Sequence, residues 1–126
     1  MIVITGGCGF IGSNLVKYFN SLKKKNILIV DHITKEKKKN LKKLKYKKIE
    51  NKEIFLKKLS NGNYDNKISV IFHYGACSDT TNTNWKYLYE NNFVYSKEIN
   101  LKDIENYLNS ISSLNSEIIQ TDQNGN

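Results

Sequence analysis

Met1-Ile2-Val3-Ile4-Thr5 runs directly into Gly6-Gly7-Cys8-Gly9-Phe10-Ile11-Gly12, and a helical pattern follows in Ile11, Leu15, Val16 and Phe19. This order predicts a buried strand, a tight turn and the open N-terminus of a helix. Such a junction presents backbone N–H groups without intrahelical partners at the positive end of the helix dipole, where a phosphate can sit. In Gly6-x-x-Gly9-x-x-Gly12 the glycines divide the work. One allows the turn, one lets the backbone approach a pyrophosphate, and the last lets the helix pack closely on the strand. Asn26-Ile27-Leu28-Ile29-Val30 predicts a second strand, and Asp31 follows it, 19 positions beyond Gly12. That is near the separation at which an acid hydrogen-bonds the adenosine ribose hydroxyls. A turn aspartate after an ordinary strand is the plainer alternative, but strand, loop and acid together favour a dinucleotide.

A chain of 126 residues fits one small domain with a core of its own, and a complete dinucleotide fold with a substrate domain would be longer. No stretch approaches the roughly 18 apolar residues that span a bilayer, so no membrane partner is expected. The first apolar run is short and leads into glycines, unlike a signal peptide, and a cytoplasmic location follows as the expectation. Cys8 and Cys77 are then expected to be reduced thiols. The net charge of +8 comes from twenty basic residues, all of them Lys, fifteen between Lys23 and Lys58. Groove and phosphate readers lean on Arg, which binds bidentately and stacks, and this chain has none. With Lys and Asn abundant and Pro absent, a solvated face is favoured over a nucleic-acid-binding module, which stays as an alternative. Weak, salt-sensitive association with polyanions is expected either way.

Residues 34 to 48 leave helix, loop and edge strand open, with Leu41, Leu44 and Ile49 in a lysine-rich background. Asn51 to Leu59 predicts a short helix capped by Asn51, with Ile54, Phe55 and Leu59 inward. Ser60-Asn61-Gly62-Asn63 ends it with turn chemistry. Ile68-Ser69-Val70-Ile71-Phe72-His73 predicts a third strand, emptying into the small residues Gly75-Ala76-Cys77-Ser78 at the edge where open parallel sheets bind ligands. A long helix is expected from Trp85 to about Lys102, with Leu88, Asn92, Tyr95 and Ile99 on one face. His73 at a strand end reads as a hydrogen-bonded packing residue rather than a catalyst. Asn91 and Asn92 are poor helix formers, so one of them is expected to reach a loop backbone or a ligand, with capping or exposure as the alternative. No cluster at metal-ligand spacing occurs, and no metal is expected.

Thr5-Gly6-Gly7-x-Gly9-Phe10-Ile11-Gly12-Ser13-Asn14 with Asp31 resembles the extended short-chain dehydrogenase/reductase family of nucleotide-sugar epimerases and dehydratases. His73-Tyr74-Gly75-Ala76-Cys77-Ser78, Thr80-Thr81, Asn91-Asn92 and Tyr95-Ser96-Lys97-Glu98 narrow the resemblance to the branch of heptose 6-epimerases, over residues 1 to about 100. The resemblance implies transient oxidation of a nucleotide sugar by bound NADP, with NAD possible, in the supply of heptose for lipopolysaccharide core. It also implies homo-oligomers of the full-length protein. By position, Gly6, Gly9, Phe10, Ile11 and Gly12 would form the pyrophosphate loop, and Asp31 and His32 would meet the adenosine ribose. Lys37 and Lys52 would lie near a ribose phosphate, Tyr74, Gly75, Ala76, Cys77 and Ser78 under the nicotinamide half, and Asn91 against the cofactor. His32 and Tyr74 stand where the family pattern has Asn and Glu. An acid suits a free ribose hydroxyl and a lysine a 2′-phosphate, so Asp31 and Lys37 pull cofactor preference both ways.

The family's chemistry also calls for a Tyr-x-x-x-Lys pair, the Lys lowering the tyrosine's pKa by its charge. No tyrosine here has Lys four residues on, and Tyr95-Ser96-Lys97 has the wrong spacing. The expectation is therefore an amino-terminal, cofactor-binding portion of such an enzyme, or a decayed copy, inactive alone, with no catalytic residue to name. Other NAD(P)-dependent nucleotide-sugar epimerases or dehydratases remain the alternative within the family. The expected fold is α/β, a partial Rossmann-like doubly wound parallel sheet with strands near residues 1–5, 27–31 and 68–73. Residues 1–109 would form the N-terminal part of the NAD(P)-binding domain and residues 110–126 a divergent, disordered tail.

Overall fold

The computed structural model describes residues 1–76, 81–102, 105, 108, 109 and 112. Four parallel strands, β1 (Ile2–Thr5), β2 (Ile27–Val30), β3 (Lys48–Glu50) and β4 (Val70–His73), form one sheet in the order β3-β2-β1-β4. Helices α1 (Phe10–Ser21), α2 (Lys35–Asn40) and α3 (Lys52–Ser60) connect them, and α4 (Trp85–Leu88) follows β4. The sheet is the expected doubly wound half, with one strand more than the sequence showed.

β1 and β2 are buried on both faces, which explains their unbroken apolar runs. Val3, Leu28 and Val30 pack with Phe55, Leu59 and Tyr64 on the α3 side. Ile4, Ile27 and Ile29 pack with Cys8, Val16 and Leu41 on the α1 side. Register puts Thr5 beside both Val30 and His73, so the carboxyl ends of three strands converge on the glycine turn.

Residues 34 to 48, left open by the sequence, resolve into two elements. The Thr34 side chain accepts from the Lys37 N–H and caps α2, and Lys48–Glu50 becomes an edge strand by pairing with Leu28–Val30. Asn51 caps α3 as expected, accepting from the Glu53 and Ile54 N–H groups. Phe55 and Leu59 point inward, but Ile54 is exposed, a correction to its expected place. The third expected strand begins at Val70, two residues late. After α4 the backbone winds a π-helical turn, Tyr89–Val94, before resuming α geometry through residue 102. That wider turn changes the phase: Asn91, Tyr95 and Ile99 are buried, whereas Asn92 is exposed. Cys77, Ser78, Thr80 and nearly all of the expected tail lie outside the described residues.

Candidate cofactor site

The glycine turn is held by its own packing. Gly6 has φ +68°, and a Cβ there would lie 2.5 Å from the Tyr74 carbonyl oxygen. A Cβ on Gly12 would stand 2.3 Å from the Gly6 carbonyl oxygen, so helix and turn can touch only if this residue is glycine. Gly9 is different. Its φ of −75° suits any residue, and a Cβ would meet only the Gly6 carbonyl oxygen, at 3.2 Å. Among the described residues nothing else stands within 4 Å of that position, as close approach by an outside group requires. α1 starts there with no side-chain cap and no acid in its first turn. The first-turn N–H groups, from Phe10 to Gly12, therefore carry no side-chain cap at the positive end of a three-turn helix. Phe10 and Ile11, at that turn, are 82% and 62% exposed.

A cavity of about 170 Å³ lies at the carboxyl ends of the strands. From the sequence-predicted set it gathers Gly6, Gly75 and Ala76 from the loops after β1 and β4. Asp31, His32 and Lys37 join from the end of β2 and from α2, and Lys52 and Asn91 from α3 and the π turn. Gly9, Phe10, Ile11, Gly12 and Tyr74 do not line it; Tyr74 is exposed, with its backbone against the glycine turn.

Both oxygens of the buried Asp31 carboxylate are engaged. Oδ2 accepts from the Cys8 N–H at 2.9 Å, and Oδ1 accepts from the His32 N–H and the Lys37 ammonium, each at 2.7 Å. Asp31 thus fixes the glycine turn to the end of β2 and holds one cation at the cavity wall. Burial, then the neighbouring Asp31 charge, pushes the Cys8 thiol up to about 11, so this free cysteine is protonated and unreactive at neutral pH. Across the cavity the Lys52 ammonium donates to Asn91 Oδ1, and it lies 5.9 Å from the ring centres of both Tyr87 and Tyr95. Asn91 Nδ2 donates back to the Tyr87 carbonyl at 2.8 Å, so its amide is fixed at both ends. Burial, with the charges of Glu53 and Asp31, pushes the Tyr95 phenol far above its ordinary value, and it stays neutral.

Thr5, which heads the glycine motif but has no role assigned from sequence, pins the cavity floor. Its Oγ1 accepts from the Tyr74 and Gly75 N–H groups, each at 3.1 Å, and lies 2.5 Å from His73 Nδ1. With two donors already on it, the hydroxyl gives its proton to Nδ1, and Nε2–H then donates to Ser96 Oγ at 2.7 Å. This is a neutral imidazole, and burial lowers its pKa. His73 ties β1 and β4 to the helix after the π turn, as a packing residue would. Among the described residues no three His, Cys, Asp or Glu side chains gather as metal ligands.

The NAD dependent epimerase/dehydratase family model matches residues 2–100. The chain belongs to this family. A curated relative, the ADP-L-glycero-D-manno-heptose-6-epimerase of Brachyspira hyodysenteriae (strain ATCC 49526 / WA1), is 48% identical over 101 residues. Those residues are 79% of this chain and 32% of that protein, so the chain spans about a third of its relative's length. The epimerase-family match covers every element from β1 to the helix beyond the π turn.

Four cavity residues escaped the sequence-based set: Thr5, Val30, Tyr87 and Tyr95. Thr5 and Val30 end the two central strands, and strand-final residues of a parallel sheet border the ligand edge, a usable signal. The spacing puts Tyr95 on the packed face of its helix but says nothing of a ligand, and Tyr87 carries no signal, because the part of both depends on how the helix after β4 packs over α3.

Proposed function

We propose that this chain is the cofactor-holding portion of a nucleotide-sugar 6-epimerase of the ADP-heptose type, and that it takes NADP in preference to NAD. A bound nicotinamide would supply reversible hydride chemistry at the sugar. The chain's own residues bind and orient. The uncapped first turn of α1 and the open face of Gly9 suit a pyrophosphate, and Phe10 and Ile11 border it. His32 and Asp31 would stand at the adenosine ribose, Tyr74 to Ala76 with Cys77 and Ser78 toward the nicotinamide, and Asn91 against the cofactor.

The observation that carries the reading is the pair of ammonium groups in a cavity next to the glycine turn, with the expected acid already neutralised by one of them. Asp31 spends its oxygens on two backbone N–H groups and Lys37, which leaves it poorly disposed toward a ribose hydroxyl. Lys37 and Lys52 favour a phosphate. Proton transfer has no candidate among these 126 residues, since no Tyr-x-x-x-Lys occurs, so the chain alone should turn over no sugar. Homo-oligomer formation, a cytoplasmic location and the lipopolysaccharide pathway are carried over from the family on the same footing.

Calorimetric titration of the folded chain with NADP and NAD tests this. NADP should bind more tightly, and Lys37→Ala should remove the difference. No binding of either at millimolar concentration, or tighter binding of NAD, overturns the proposal. Turnover of ADP-heptose by this chain alone would overturn the prediction of inactivity.

A further inference from the structure

In a parallel α/β sheet all the helix-to-strand connections lie at one edge and all the strand-to-helix connections at the other. Here the two edges differ sharply in charge. The connections entering β2, β3 and β4 are residues 22–26, 41–47 and 61–69. They carry Lys23, Lys24 and Lys25, then Lys42, Lys43, Lys45 and Lys47, then Lys67, against a single acid, Asp65. Among the described residues the connections leaving the strands, at residues 6–9, 31–34, 51, 74–76 and 81–84, carry no lysine and one acid, Asp31; the lysines that open the next helices, Lys35, Lys37 and Lys52, stand beside Glu36 and Glu53, and Lys37 is paired with Asp31. A uniform bias toward lysine codons would load both edges alike, so composition alone does not account for the separation.

The basic edge is also tied together. Asn20 donates to the Lys24 and Lys45 carbonyls and accepts from the Lys45 N–H, clamping the first connection to the second. The Lys47 N–H donates to the Ile27 carbonyl, fixing the second to the start of β2. All eight lysines are exposed, and none has a carboxylate within 4 Å among the described residues. Exposed Leu22, 50% accessible, stands beside the first group.

We propose that this edge is a docking surface for an anionic lipid bilayer, at the end of the sheet opposite the cofactor cavity. Several loops whose ammonium groups have no carboxylate partner among the described residues suit a layer of headgroups at one edge, and peripheral attachment needs no spanning segment. A bilayer is favoured over nucleic acid because the three connections hold no Arg to fork a phosphate or read a base. They hold no exposed aromatic on which bases could stack either: Tyr64 is buried and Tyr46 half-buried.

The test is co-sedimentation with vesicles of phosphatidylcholine carrying 30% phosphatidylglycerol (about the anionic content of a charged leaflet), beside pure phosphatidylcholine. The chain should bind the anionic vesicles only and leave them between about 0.1 and 1 M salt, as the screening length falls from roughly 10 to 3 Å. Lys24→Gln, Lys25→Gln, Lys45→Gln and Lys47→Gln together keep every backbone bond above. At about fivefold per lysine they should weaken binding well over tenfold. Lys86→Gln with Lys97→Gln, exposed on the helix after β4, should change it little, and circular dichroism should show both variants folded. Equal binding to neutral vesicles, equal losses in the two variants, or tighter binding to single-stranded DNA than to vesicles at the same salt overturns the proposal.

Discussion

Replacing Thr5 by Val keeps the shape of a residue only 1% exposed and deletes the hydroxyl that holds the cavity floor. Three hydrogen bonds go with it. The Tyr74 N–H keeps a partner, since it also faces the Thr5 carbonyl at 3.1 Å. The Gly75 N–H and His73 Nδ1 each lose the partner described above. An orphaned buried polar group costs about 1–3 kcal/mol, and both sites are only half-buried, so the lower part of that range applies to each. The expected loss is about 2–3 kcal/mol, a large share of the roughly 5–15 kcal/mol that holds a domain together. Thr5→Ser is the control: it keeps the hydroxyl and gives up one buried methyl, about 1 kcal/mol. Urea denaturation followed by circular dichroism should therefore rank wild type above Thr5→Ser and Thr5→Ser above Thr5→Val, with unchanged slopes. If Val proves as stable as Ser, the hydroxyl is not the pin and the packing of the methyl is.

Gly12→Ala should cost about 3 kcal/mol or more, because its Cβ meets the Gly6 carbonyl oxygen at 2.3 Å, whereas Gly9→Ala should stay within about 1 kcal/mol of wild type yet weaken NADP binding. Thermal melts and calorimetry on the two variants separate the roles, and equal stabilities would contradict the packing account. Lys23 sits at φ 60° just past α1, where its N–H bonds the Asn20 carbonyl and the Lys24 N–H bonds the Phe19 carbonyl. That is a Schellman closure with a lysine in the glycine position, so Lys23→Gly should raise stability by about 1 kcal/mol in urea titrations. The neutral His73 makes stability depend on pH. The unfolded ring takes a proton near its ordinary 6.5 while the folded one, lowered by burial, does not, so stability is full above that value and falls as pH drops below it. Glu50 acts in a separate, lower window. Burial raises its pKa, but hydrogen bonds from Lys58, Tyr64 and Lys48 outweigh that and hold it below 4.5, so its contribution is lost only as pH falls beneath that value. Urea midpoints between pH 7.5 and 5 should slope for wild type and flatten for His73→Gln; parallel curves would contradict the assignment.

What could be read in the sequence was chemistry that neighbours in the chain carry by themselves. Gly6 to Gly12 announce a turn because backbone conformation and close contact are local demands, and Ile27–Val30 announces a strand because both of its faces are covered. Lys48–Glu50 has one apolar residue between charged neighbours, and it is a strand only because Leu28–Val30 lies beside it. α2 has no buried residue and owes its start to the Thr34 cap. The shift from Asn92 to Asn91 has a sharper cause. Counting apolar positions at 3.6 residues assumes an unbroken α-helix, and the π turn inserts extra backbone inside the counted window. The cavity makes the same point about function. Asp31 could be found by its distance from Gly12, since both border one strand–turn–helix unit. Lys52 is held by Asn91 across 39 residues, and Thr5 finds the Gly75 N–H across 70. No local pattern can encode such pairings. They arise when β4 and the helix after it close over β1 and α3, so the half of the cavity built from Lys52 and Asn91 depends on the same packing that hides it from sequence.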